Sequence, residues 1–206
     1  MVDGLVGSEM CIRDRSGIKL FKTFHGWRIV ASSGFINMFS VGIPFYAYSV
    51  FYIHLQDEFN AGRFLISSTL SIMIIAAGVF APICGQLVDK FSLKNILSIG
   101  AIIFGLGLIS LSFCQSYYQF LIVYGSIVAL GMTLFGNLAT AKLISNWFKK
   151  KIGSAIGFAA LGISLSGVFI PPITVYLINL YGWRLTYVIF GIFIILFFVP
   201  FCRYLI

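Results

Sequence analysis

Long stretches without a charge alternate with short polar breaks along this chain. Apolar segments cover residues 29–53, 64–88, 96–114, a fourth that comes after the polar break 115–119 and ends near Ser145, then 152–181 and 185–202. Each approaches or exceeds the roughly 20 residues a helix needs to cross a bilayer. Membrane strands would be about ten residues long with strict alternation. These runs are longer and do not alternate. Lipid admits only helices or closed barrels as spanning forms, so the spans are helical. The expected fold class is all-α, an integral membrane six-helix bundle.

Composition agrees with that pattern. Of 206 residues, 60% are hydrophobic and 10% charged, against about 25% charged in ordinary soluble domains. A soluble fold of this size leaves roughly a quarter or more of its unfolded surface wet, and this chain lacks the polar groups to cover it. A water-soluble enzyme, a nucleic-acid-binding module and a disordered tail are therefore excluded. The net charge of +8 invites an acidic partner, but its positions argue otherwise. With a cytoplasmic N-terminus, Lys19, Lys22, Arg28, Lys90, Lys94, Lys149, Lys150, Lys151 and Arg203 lie inside. Only Arg63 and Arg184 lie outside, and Lys142 falls within a span. This is the positive-inside bias. It puts both termini in the cytoplasm of a multi-pass protein of the plasma (cell inner) membrane, with lipid rather than nucleic acid as the partner. Trp27, Trp147 and Trp183 fall at span ends, where indoles favour the headgroup level. Lys142, five residues from Trp147, is read as snorkelling to that interface. His54 is an outer-loop residue on this reading.

Residues 1–15, MVDGLVGSEMCIRDR, do not match the rest. They are unpatterned and lack the apolar core of a signal peptide. We read 1–15 as a non-native or disordered segment and 16–206 as the six-span domain. Cys11, Cys84, Cys114 and Cys202 make no CxxC pair, and the last three read as buried reduced thiols.

Polar side chains recur at helical spacing in two of the spans. Asn37, Ser40, Pro44 and Tyr48 share a face in the first, and Thr133, Asn137 and Thr140 in the fourth. Such stripes either line a water-filled cavity or make interhelical hydrogen bonds worth about 0.6 kcal/mol each. Both readings stand at this point. The fifth span is rich in small residues, with Gly153, Gly157, Gly162, Gly167 and Pro171 expected to serve close helix packing. GVFAPI at 78–83 is echoed by GVFIPP at 167–172, in a span of opposite direction, as an inverted three-helix repeat would leave behind. No acidic residue lies mid-span. No metal-ligand spacing, nucleophile elbow or phosphate loop is present, so neither catalysis, a metal nor a cofactor is expected.

The loop after the second span reads Gly85-Gln-Leu-Val-Asp89-Lys90-Phe-Ser-Leu-Lys94. A carboxylate at a membrane boundary is costly without a task. Asp89 can pair with a cation or accept from a helix N-terminus, a contact suited to holding a cytoplasmic gate shut. The loop resembles the signature of the major facilitator superfamily, G-x-x-x-D-R-x-G-R-R. Gly85 and Asp89 match, Lys90 and Lys94 take basic positions, and Ser92 and Leu93 depart from the pattern. Trp147-Phe-Lys-Lys-Lys-Ile-Gly153, with Gly157, Gly162, Gly167 and Pro171-Pro172, resembles that superfamily's fourth-to-fifth-span junction. Within it, the sequence is most similar to the monocarboxylate porter and oxalate/formate exchanger branch, which His25-Gly26-Trp27-Arg28 and Tyr181-Gly182-Trp183-Arg184 also suit.

The resemblance implies half of a twelve-span transporter fold, built from two inverted three-helix repeats, with a C-terminal six-helix half as partner. It implies that the first and fourth spans line the central path, so that their polar stripes face each other. The implied function is secondary active transport of a small solute, an organic anion such as a monocarboxylate, by alternating access, with a proton as coupling ion. The alternative is a non-transporting membrane scaffold or assembly subunit.

Overall fold

A computed structural model describes residues 25–148 and 152–205. The segment 1–15, the boundary at residue 16, and the lysines at 19, 22 and 149–151 lie outside the described residues. Among those described there is no strand, and five helices are long and apolar enough to cross a membrane. We label them α1 (Gly26–Phe59), α2 (Arg63–Lys90), α3 (Leu93–Leu111), α4 (Tyr117–Trp147) and α5 (Ile152–Tyr204). Local signals set their ends. Asn60 stops α1 in the left-handed conformation (φ 47°) that asparagine tolerates. Ser116 starts α4, its hydroxyl accepting from the Gln119 N–H.

The 53 residues of α5 would form a rod of about 80 Å, against a hydrocarbon core of about 30 Å. Gly182 resolves the mismatch. It adopts φ 78° and ψ 166°, a region open almost only to glycine, and the chain turns back there. The contacts along α1 record the reversal. Residues 152–181, the first arm, run parallel to α1: Phe158 meets Trp27, Ala159 and Gly162 meet Gly34, and Ser166 and Ile170 meet Gly42. Residues 183–204, the second arm, run antiparallel: Trp183 meets Phe59, Tyr187 stacks on Phe51, Phe193 meets Phe39 and Phe198 stacks on Phe35.

The remaining helices pack by the same means. α3 lies antiparallel to α4, with Gly100 against Phe135 and Gly131 against Phe104, and antiparallel to the second arm, with Gly105 and Ile109 against Gly191. α2 lies parallel to α4, with Ile72 beside Gly125. Small residues at these crossings allow backbones to approach closely, which is what drives association where lipid is as apolar as the side chains. The interior is aromatic, with Phe104, Phe120, Phe135, Phe198, Tyr48, Tyr124 and Tyr187 fully buried. Cys84, Cys114 and Cys202 are buried free thiols.

One expectation about the rims fails. Trp27 and Trp147 are about half exposed at helix ends, but Trp183 is buried. Its indole lies under the Arg184 guanidinium, 4.7 Å from ring centre to Cζ, so it acts as an internal platform rather than a headgroup anchor.

Candidate functional site

Regular helix is interrupted in both α1 and α4. In α1, Gly42–Ala47 forms a stretch of wide, π-type turns around Pro44. Proline has no N–H to give and crowds the carbonyl four residues back, and a wide turn accommodates that. In α4, helix stops at Phe135, Gly136 takes a non-helical φ −92°, ψ −138°, and a new helical segment starts at Asn137. Asn37 lies ten residues past Trp27, and Gly136 eleven residues before Trp147. Both are therefore about 15–16 Å from the Trp level, close to the midplane of a core about 30 Å thick.

The polar groups converge at that depth. Thr140 Oγ1 donates to Asn37 Oδ1 at 3.0 Å, with both residues buried. It also lies 3.2 Å from the Gly136 carbonyl and 3.1 Å from that of Asn137. Ser40 is buried beside Gly136, where a Cβ would meet its hydroxyl. Asn137 stands exposed at the start of the new segment. A helix that begins inside a membrane leaves first-turn N–H groups unpaired and aims its positive dipole end at that level. Broken helices use this to hold an anionic group near the midplane.

Not every residue of the two stripes joins this cluster. Tyr48 is buried, and its hydroxyl donates to the Ile66 carbonyl of α2 at 2.7 Å. The wide turn explains this: an extra residue in the turn rotates the remainder of the helix by roughly 100°, so Tyr48 leaves the face of Asn37. Thr133 is also buried, with its hydroxyl donating to the Ala129 carbonyl at 2.6 Å. Both are buried, like Asn37, Ser40 and Thr140, but their hydroxyls bond elsewhere. Tyr124, which sequence reasoning passed over, donates to the Pro44 carbonyl at 2.7 Å and ties α4 to the wide turn of α1. Its only signal was a tyrosine in an apolar span. Tyr117 similarly ties α4 to α2 through Leu65, Ser68 and Thr69.

Ion pairs close both rims. Lys142 Nζ donates to Asp89 Oδ1 at 2.7 Å, linking the ends of α4 and α2. Lys142 was expected only to reach water. Its position at the rim also brings it alongside Asp89, and a partly wet carboxylate captures it. Lys90 and Lys94 are exposed on either side of the turn. At the other rim Arg184 donates to Glu58 at 3.0 Å and to the Ser112 carbonyl at 3.1 Å, joining the second arm of α5 to α1 and α3. Cys114 is buried nearby, and burial pushes its thiol up, partly offset by the Arg184 guanidinium.

The glycines of α5 divide by role. Gly162 abuts the Gly34 backbone and Gly167 the Tyr46 ring. Pro171 is half-buried. Gly153 and Gly157 were expected to pack in the same way, but no described atom comes within 4 Å of a Cβ built there. Helical geometry gives the reason. The first arm buries one stripe (Ala155, Ala159, Gly162, Ser166), whereas Gly153, Gly157, Ala160 and Ser164 lie on a different face that is bare. On α2, Ser67, Ser71, Gly78 and Gly85 likewise share a bare or half-exposed face that ends at Asp89.

A family model described as Major Facilitator Superfamily matches residues 30–206. The chain belongs to the Major Facilitator Superfamily. It is therefore a member of a membrane transporter family and not an enzyme. Monocarboxylate transporter 4 of Rattus norvegicus is 32% identical over 190 residues, covering 90% of this chain and 39% of the relative. Monocarboxylate transporter 1 of Bos taurus is 30% identical over 166 residues, covering 81% and 33%. An uncharacterized MFS-type transporter of Bacillus subtilis (strain 168) is 28% identical over 160 residues, covering 77% and 39%. The chain thus spans about two fifths or less of the length of these superfamily relatives.

Proposed function

We propose that this chain is the N-terminal six-helix half of a secondary active transporter that carries a small organic anion, such as a monocarboxylate, by alternating access. The observation that carries the reading is the Asn37–Thr140 contact beside the break at Gly136, at the depth of the bilayer midplane. A carboxylate at that level meets the positive end of the segment beginning at Asn137, with Asn37, Ser40 and Thr140 as neutral hydrogen-bonding neighbours. The names of the relatives favour the same solute class.

The same packing supports six crossings and an inverted repeat. The two arms of α5 count as the fifth and sixth spans. Exchanging spans one, two and three with four, five and six leaves the neighbour relations unchanged. The parallel pair of α1 and the first arm exchanges with the parallel pair of α4 and α2. The antiparallel pair of α3 and α4 exchanges with that of the second arm and α1. The bare small-residue faces of α2 and the first arm are where the C-terminal half docks, and Asp89 with Lys142 sits at the cytoplasmic end of one of them as the gate. A coupling proton is carried by that other half, since Asp57, Glu58 and Asp89 all lie at helix ends.

The test is flux. The full-length protein is reconstituted into vesicles and uptake of labelled monocarboxylates is measured. Saturable uptake is expected, and Gly136→Ala is expected to remove most of it, because its Cβ would meet the Met132 carbonyl at 2.6 Å. No saturable uptake by a well-folded wild-type protein would overturn transport of this class. Intact uptake in Gly136→Ala would reject the site.

A further inference from the structure

Two apolar grooves flank one aromatic ridge on the outer side of α1 and α5. The first, of about 390 Å³, runs between α1 and the first arm from Trp27 to Met38 and Leu165. The second, of about 590 Å³, lies along the second arm and is bounded by Phe197, Phe201, Arg203 and Tyr204. Phe35 lines the first groove and touches Phe197 and Phe201 of the second, at 5.8 and 6.0 Å between ring centres. The ridge between the grooves is therefore about one ring pair wide.

Length and charge identify the occupant. Trp27 to Met38 spans eleven residues, about 16 Å, which is the depth of one leaflet. Arg28 is exposed and shares a helix face with Ala31, Phe35 and Met38, at the spacing 28, 31, 35, 38. Arg203 borders the second groove at the same rim. Among the described residues neither arginine has an ion-pair partner. Asp57 and Glu58 lie at the opposite rim, and Asp89 is engaged by Lys142. Two guanidiniums without an ion-pair partner among the described residues thus stand at headgroup level above two apolar grooves, the first of them about one leaflet deep. The grooved face of the first arm (Phe158, Leu161, Leu165) lies roughly 110° around the helix from its bare small-residue face (Gly153, Gly157, Ala160, Ser164). The groove is accordingly free when the small-residue face is covered.

We propose that this surface is a binding site for one anionic phospholipid of the lysine-bearing leaflet. One acyl chain fills each groove, Phe35 separates the chains, and Arg28 and Arg203 hold the phosphate. Guanidinium forks match phosphate oxygens, and basic pockets of this kind select anionic headgroups.

Native mass spectrometry of the full-length protein tests this, with dioleoyl phosphatidylglycerol against dioleoyl phosphatidylcholine as probes. The wild type is expected to retain one phosphatidylglycerol at several-fold higher occupancy than phosphatidylcholine. Arg28→Gln with Arg203→Gln should reduce that occupancy to the phosphatidylcholine level. Ala31→Phe keeps both charges but fills the first groove, and should lower it too. Melting curves establish that each variant is folded. Equal retention of the two lipids by the wild type, as a protein helix covering the grooves would give, overturns the site. So does a preference that survives the double arginine variant.

Discussion

Asp89 and Lys142 meet with much of their surface still wet, the side chains being 64% and 43% exposed. A pair of that kind is worth at most about 1 kcal/mol to stability and less in salt. Its value must therefore lie in what it restrains. Asp89→Asn is expected to leave the melting temperature of the full-length protein within a few degrees, yet to raise the reactivity of cysteines placed on the cytoplasmic side. Unchanged reactivity would remove the gate role. The glycines of α5 make a sharper contrast. Gly162→Leu forces a side chain into the Gly34 backbone and should cost about 1–3 kcal/mol of overpacking, measured as a lower melting temperature. At Gly157 a Cβ meets no described atom within 4 Å, and Gly157→Leu extends from an exposed face. On the proposed docking of a C-terminal half against this bare face, it should preserve folding while impairing uptake by the full-length protein. Sequence spacing marked both residues as small, but could not tell a face that is covered from one that is bare.

At the scale of elements, the breaks in α1 and α4 decide which side chains meet. The charge-free runs overlap the five long helices, and helical spacing picked out Asn37 and Thr140, which do touch. Spacing failed beyond Pro44 because counting assumes 3.6 residues per turn, and the wide turns from Gly42 to Ala47 shift that phase. Tyr48 was assigned to the wrong face for this reason, and Tyr124 was overlooked because its partner is a backbone carbonyl, invisible in any residue pattern. The Tyr124 hydroxyl covers the Pro44 carbonyl in a buried place. Tyr124→Phe removes this buried link between α4 and α1 and should destabilise by about 0.5–1.5 kcal/mol. A melting temperature equal to that of the wild type would mean that another donor reaches Pro44. The break at Gly136 was equally hidden: glycine inside a span reads as a packing residue until its dihedral angles are known.

The molecule as a whole depends on the chain reversing at Gly182, since without that turn both the Phe35–Phe198 and the Gly34–Gly162 contacts could not form together. The polar Tyr181-Gly-Trp-Arg184 stretch marked the boundary between two spans. What no pattern carried was the direction of packing, parallel for the first arm and antiparallel for the second. Positive φ at Gly182 makes the turn vulnerable. Gly182→Ala is expected to cost about 1–3 kcal/mol. The topology itself yields a direct test. Single cysteines at Asn60, Gln115 and Gly182 should react with a membrane-impermeant maleimide from outside intact cells, and one at Ser92 only after permeabilisation. The first three mark the rim that carries Glu58 and Arg184, and Ser92 the rim that carries Asp89 and Lys142. Labelling of Ser92 and Gly182 from the same side would mean that α3, α4 and the first arm together cross an even number of times. That outcome would undo the antiparallel pairing of α3 with α4, the midplane depth of Asn37 and Gly136, and with them the transport path.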